Sequence, residues 1–161
     1  MLDHNNRILE RYNRITANLI EKKMTVATME SCTGGMIGML LSDREGASQV
    51  VKGGFFTYSN EAKISCGVAA DVIDTYGVYS LETAREMARV CRDSFGADIG
   101  IGVTGSIGTI DPNNADSVPG EVYIAVDING DVRDQRIELA PASRLDSRLA
   151  IADKIADLLS I

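Results

Sequence analysis

The chain has 161 residues, 45% hydrophobic and 24% charged, which fits one globular domain of ordinary size with room for a real core. Its net charge of −7 and pI near 4.7 argue against a nucleic-acid backbone as partner. The apolar runs are short and broken by glycine or charge, which leaves nothing to span a membrane.

Met1-Leu2-Asp3-His4-Asn5-Asn6 lacks the basic-then-apolar layout of a signal peptide, so a cytoplasmic location is expected. Ile8, Tyr12, Ile15 and Leu19 recur at helical spacing and predict an amphipathic helix over 5–22. A first strand follows over Thr25–Met29, with a helix over Gly34–Leu41 off its C-terminal end. Ser42–Gly46 reads as a loop, and Gly53–Tyr58 as a second strand. A short helix around Glu61–Cys66 is capped by Ser59 or Asn60. Ser80 caps the next helix, whose apolar face is Ala84, Met87, Ala88, Cys91 and Phe95. Ala97–Val103 is a third strand, interrupted by Gly100 and Gly102. Gly120–Ile128 and Val132–Leu139 form a hairpin about Asn129-Gly130. Ser143 caps a last helix with Leu145, Leu149, Ala152, Ile155 and Leu159 on one face.

Strands alternating with helices, plus one late hairpin, predict a single domain over 1–161. Its fold class is α/β, a three-layer α/β/α sandwich with a mixed, mostly parallel sheet. In such sheets the site lies beyond the carboxyl ends of the parallel strands. There the chain places Glu30–Gly35, Thr57–Lys63 and Thr104–Gly108.

The only histidine is His4, in a polar N-terminal stretch read as mobile, so a Ser-His-Asp triad, a Cys-His dyad or a histidine-based zinc site is not expected. The three cysteines, Cys32, Cys66 and Cys91, show no Cys-x-x-Cys spacing and read as reduced thiols. Ser31 is the leading nucleophile, and Lys63 its base if a dry pocket lowers the lysine pKa. The plainer alternatives are a helix cap for Ser31 and a solvated helix residue for Lys63. Cys32 is a rival nucleophile or a small buried apolar residue. Tyr58 orients Lys63 or relays a proton, or is simply an edge-strand aromatic. Thr33, Gly34 and Gly35 form a candidate anion nest at a helix start, and the stretch from Gly105 to Gly108 a second. Thr104 could donate to a substrate oxygen, and Arg144 or Arg148 could grip a phosphate. The acidic residues form no convincing metal-ligand cluster, and no cofactor is expected.

Four segments together resemble the CinA C-terminal domain family of nicotinamide-nucleotide amidohydrolases. They are Glu30-Ser31-Cys32-Thr33-Gly34-Gly35, Phe56-Thr57-Tyr58-Ser59-Asn60-Glu61-Ala62-Lys63, Gly102-Val103-Thr104-Gly105 and Gly120-Glu121-Val122-Tyr123-Ile124-Ala125-Val126. Arg144-x-x-x-Arg148 also fits the closing helix of that family. The resemblance implies hydrolysis of the carboxamide of nicotinamide mononucleotide, a small anionic nucleotide, in pyridine-nucleotide salvage. It implies Ser31 as nucleophile, Lys63 as assisting base and Tyr58 as support, with Thr104 and Arg144 among the substrate contacts. It also implies a metal-independent reaction, a homo-oligomer, and the stand-alone form of a domain that longer relatives join to another. One region departs from the family pattern. After Gly-Val-Thr-Gly the family continues Ile-Ala-Gly-Pro and a glycine-rich run, whereas here Ser106–Ser117 reads SIGTIDPNNADS. That loop supports an alternative reading as a non-catalytic nucleotide-binding or regulatory module.

Overall fold

In a computed structural model that describes residues 2–161, a five-stranded sheet lies between two helical layers. The elements in chain order are α1 (Leu2–Lys22), β1 (Val26–Glu30), α2 (Met36–Ser42), β2 (Val51–Phe56), α3 (Asn60–Ser65), α4 (Ala70–Tyr76) and α5 (Leu81–Phe95), followed by β3 (Ile99–Gly105), β4 (Glu121–Ile128), β5 (Asp131–Glu138) and α6 (Arg144–Leu158). A single 3-10 turn, Ala47–Gln49, precedes β2. Among the described residues no helix is long and apolar enough to cross a membrane.

The sheet order is β2-β1-β3-β4-β5. β1 pairs in parallel with β2 and β3, whereas β4 is antiparallel to both β3 and β5. Four strands therefore point one way and β4 alone runs against them, as expected for a parallel core closed by a hairpin. Asn129 and Gly130 take φ of 50° and 93°, the left-handed pair that a tight hairpin turn needs.

Side-chain alternation along β1 separates two cores. Ala27 and Met29 face Ile73, Met87, Val90 and Cys91 on the α4/α5 side. Val26 joins Ile8, Tyr12, Leu19, Ile37, Leu41 and Ile155 on the side of α1, α2 and α6. On β3, Gly100 and Gly102 let α5 lie directly on the strand, because a Cβ at either would strike the backbone of Ala84 and Ala88. Glycine is thus required inside this strand by packing.

Several boundaries shift from the sequence expectation. α1 begins at Leu2, so His4 sits on its exposed first turn instead of in a mobile tail. α4 was not expected. Its N-terminus has no side-chain cap, and only Ile73 gives it a buried anchor before Gly77 ends it. Leu145, expected on the buried face of α6, is 53% exposed, and burial along that helix begins only at Ser147 and Leu149.

Candidate active site

The carboxyl ends of β1, β2 and β3 converge on one cavity of ≈ 750 Å³. Its walls are Ser31 and Cys32 after β1, Tyr58–Ala62 after β2, and Gly105–Ile107 with Thr109–Asn114 after β3. Tyr79 and Arg144 complete it.

The turn after β1 is held from within. Glu30 is buried, and its carboxylate accepts hydrogen bonds from Thr33 Oγ1 (2.7 Å), Ile37 N (3.1 Å) and Gly38 N (2.7 Å). Glu30 therefore occupies the N-terminus of α2, satisfying donors that a new helix leaves open and matching the positive end of its dipole. Glu30 thus takes up the Thr33 hydroxyl and the amides of Ile37 and Gly38, whereas the Gly34 amide closes the turn on Ser31 O. Gly34 and Gly35 have φ of 64° and 90°, which lets the chain reverse into α2 with Gly35 as its cap. Ser31 is therefore not the helix cap.

Ser31 and Lys63 meet. Lys63 is 2% exposed, and its Nζ lies 2.9 Å from Thr57 O and 3.4 Å from Ser31 Oγ. Ser59 caps α3 by accepting from Ala62 N, which fixes where the helix starts, and Lys63 is the buried residue of that helix. Burial pulls the Lys63 ammonium down from 10.5 to about 8, against smaller opposing pulls from Cys32 and then Asp111. In the neutral amine an N–H can stay on Thr57 O while the lone pair faces the Ser31 hydroxyl. That arrangement is a nucleophile with its base. Cys32 is different: it is 4% exposed, and burial pushes its thiol up to about 12, so it stays protonated and inert.

The structure separates the two arginines of α6. Arg148 Nε donates to Cys32 O at 3.0 Å, and its guanidinium lies against Gly34, clamping the turn from behind. Arg144 lines the cavity and donates from Nη1 to Ile107 O (3.0 Å), with Nη2 3.4 Å from the Tyr58 hydroxyl. Tyr58 is 61% exposed and reaches Arg144 at the mouth; the structure does not bring it to Lys63. The backbone carbonyl of Thr57 positions the lysine instead. Thr104 is fully buried and gives its hydroxyl to Val78 O at 3.0 Å, so it faces away from the cavity. Gly105 does line the cavity, but β4 requires its lack of a side chain: a Cβ would fall 2.6 Å from Val122 Cα.

Residues to which the sequence assigned no site role form another part of the cavity wall. Tyr79 donates to Asp111 Oδ2 at 2.6 Å, Asn114 Nδ2 donates to the same oxygen at 2.7 Å, and Asn60 Nδ2 donates to Asn114 Oδ1 at 2.9 Å. The signal in the sequence was the departure of 106–117 from the family pattern, which marks the stretch without revealing its partners.

A model of the CinA C-terminal domain family matches residues 9–160. The chain belongs to that family. A CinA-like protein of Gemmatimonas aurantiaca is 42% identical over 139 residues, which cover 86% of this chain and 32% of that protein. Another CinA-like protein, from Chlorobaculum tepidum, is 46% identical over 91 residues, covering 56% of this chain and 22% of its own length. The chain thus spans about a third or less of the curated relatives named here. The crystal structure of competence/damage inducible protein CihA from Agrobacterium tumefaciens superposes with a TM-score of 0.87 at 33% identity, covering 94% of this chain and 93% of that one. The CinA fold therefore extends along nearly the whole chain.

Proposed function

We propose that this cavity hydrolyses a carboxamide, with nicotinamide mononucleotide as the substrate that family resemblance favours. The observation that carries the proposal is the buried Lys63 amine, depressed to about 8 and facing Ser31 Oγ. Ser31 Oγ attacks the amide carbon while its proton passes to Lys63 Nζ. The resulting tetrahedral oxyanion needs donors, and the N–H groups of Cys32 and Thr33 take no part in the bonds that close the turn, Gly34 N to Ser31 O and Met36 N to Thr33 O. Collapse breaks the C–N bond, Lys63 returns the proton to the leaving nitrogen, and ammonia departs. Water then attacks the acyl-serine, giving the carboxylate and regenerating Ser31.

Arg144 and Tyr58 sit at the cavity mouth as the proposed grip on the anionic part of the substrate. Gly105 shapes the wall of the reaction chamber, and Thr33, Gly34 and Gly35 hold the turn that presents Ser31 to it. Cytoplasmic operation on a small nucleotide, without metal or cofactor, completes the proposal, and the protein is proposed to act as a homo-oligomer. Ammonia release from nicotinamide mononucleotide by purified protein is the test. Turnover that vanishes in Ser31→Ala supports it; ligand-induced thermal stabilisation without turnover in the wild-type protein would instead favour a binding module.

A further inference from the structure

The cavity that holds Ser31 is also lined by a carboxylate that the proposed chemistry does not use. Asp111 accepts from Tyr79 and Asn114 on Oδ2 and from Asn113 N on Oδ1 at 2.9 Å. The Asn114 amide is itself oriented by Asn60 on α3, which fixes its nitrogen toward Asp111. Burial works against the charge of Asp111, yet the hydrogen bonds from Asn114 and Tyr79 outweigh it and hold the carboxyl below its usual range. Burial, helped by Asp111, pushes the Tyr79 hydroxyl far up, so Tyr79 remains a donor. The charge is therefore fixed in place, ionised and braced from two other elements. It lines the same cavity as Ser31.

We propose that Asp111 is a specificity-determining residue of this cavity, selecting a carboxamide over the corresponding carboxylate, an inference that rests on the amidohydrolase reading. A carboxylate accepts hydrogen bonds and cannot donate them. It suits the neutral, donor-bearing –NH2 of an amide and repels the anion that hydrolysis creates. The substrate is then retained while the acid product is pushed out, across a cavity whose other lining charges are Glu61 and Arg144.

The test compares dissociation constants for nicotinamide mononucleotide and nicotinate mononucleotide, read by competition calorimetry on wild-type protein, Asp111→Asn and Asp111→Ala. The wild-type protein is expected to bind the amide more tightly. Both substitutions are expected to narrow that ratio about tenfold, mainly by tightening the acid, as loss of one like charge at a partly screened site predicts. Tyr79→Phe removes one brace but keeps the charge, and is expected to hold the ratio within about twofold. An unchanged ratio in both Asp111 variants overturns the inference, as does a wild-type protein that binds neither probe or prefers the acid. Ammonia release is measured separately on the wild-type protein. Discrimination without ammonia sinks the amidohydrolase reading alone, and ammonia with an unaltered ratio sinks the role of Asp111 alone.

Discussion

The two walls of the cavity are built by different means. On the Ser31 side, Glu30, Thr33, the α2 amides and Arg148 act on backbone or on fully buried groups, and the glycines fix the chain in left-handed turns. On the opposite side, segment 106–117 crosses the cavity on side-chain ties among Asp111, Asn114, Asn60 and Tyr79, most of them half-buried. A wall made of backbone tolerates little change, because each alteration strands a buried partner. A wall made of paired side chains can be rewritten one residue at a time while the strands beneath it stay put. The proposed function assigns bond making to the first wall, and the proposed role of Asp111 assigns choice of ligand to the second.

The sharpest way to break this division is to remove the nucleophile or its base. Ser31→Ala is expected to lower kcat by about 10³-fold or more, with KM little altered, measured as steady-state ammonia release. Wild-type kcat/KM should climb with pH through about 8, where Lys63 loses its proton, and Lys63→Ala should abolish that limb along with most of the rate. Next comes the turn itself. Gly34→Ala places a Cβ 3.1 Å from the Arg148 guanidinium at a φ of 64°. Thermal denaturation should show a loss of about 1–2 kcal/mol, with kcat falling alongside it. On the loop side, Asn60→Ala should raise KM by about threefold to tenfold and leave kcat within about twofold, since it loosens a tie and touches no reacting atom. A kcat collapse in Asn60→Ala would erase the distinction between the walls.

The smallest effect is on stability. Lys63 titrates at about 8 when folded and 10.5 in its ordinary state, so above pH 8 the unfolded chain holds the extra proton and stability rises with pH. Cys32 and Cys91 run the other way, about 12 against 9.0, so their contribution falls away as pH passes 9.0. Between pH 8 and 9 the lysine dominates these three groups. The lysine alone gains about 1 kcal/mol there and the two thiols together give back about 0.7 kcal/mol. Denaturant titrations should therefore show a net rise of about 0.3 kcal/mol, and Lys63→Met should turn it into a fall of about 0.7 kcal/mol.

Much of this was legible in the sequence because it depends on local signals. Strand and helix periodicity, the Ser59, Ser80 and Ser143 caps and the Asn129-Gly130 turn were each readable within a few residues. The Ser31–Lys63 pairing followed from topology, since both lie past the carboxyl ends of adjacent parallel strands. Contacts distant in sequence were harder. Nothing local tells that Thr104 turns toward Val78, that Arg148 reaches Cys32 or that Tyr79 finds Asp111. Tyr58 illustrates the same limit. Its place in the motif suggested Lys63 as its partner, but the strand ends one residue before Thr57 and leaves the ring at the mouth beside Arg144. α4 escaped notice because a helix anchored by one buried isoleucine has almost no periodicity to display.

The carboxylate of Glu30 has one more effect, on ionic strength. With the α2 terminus already neutralised from inside, an anionic ligand in this cavity meets Arg144 as its lining cation, flanked by Glu61 and Asp111. Attraction of that kind amounts to roughly one screened charge, so affinity should vary gently with added salt. Simple polyanions that crowd helix-start phosphate sites would find little to hold here. Charge in this cavity then serves to refuse a ligand more than to draw one in, and shape and hydrogen bonding do the holding.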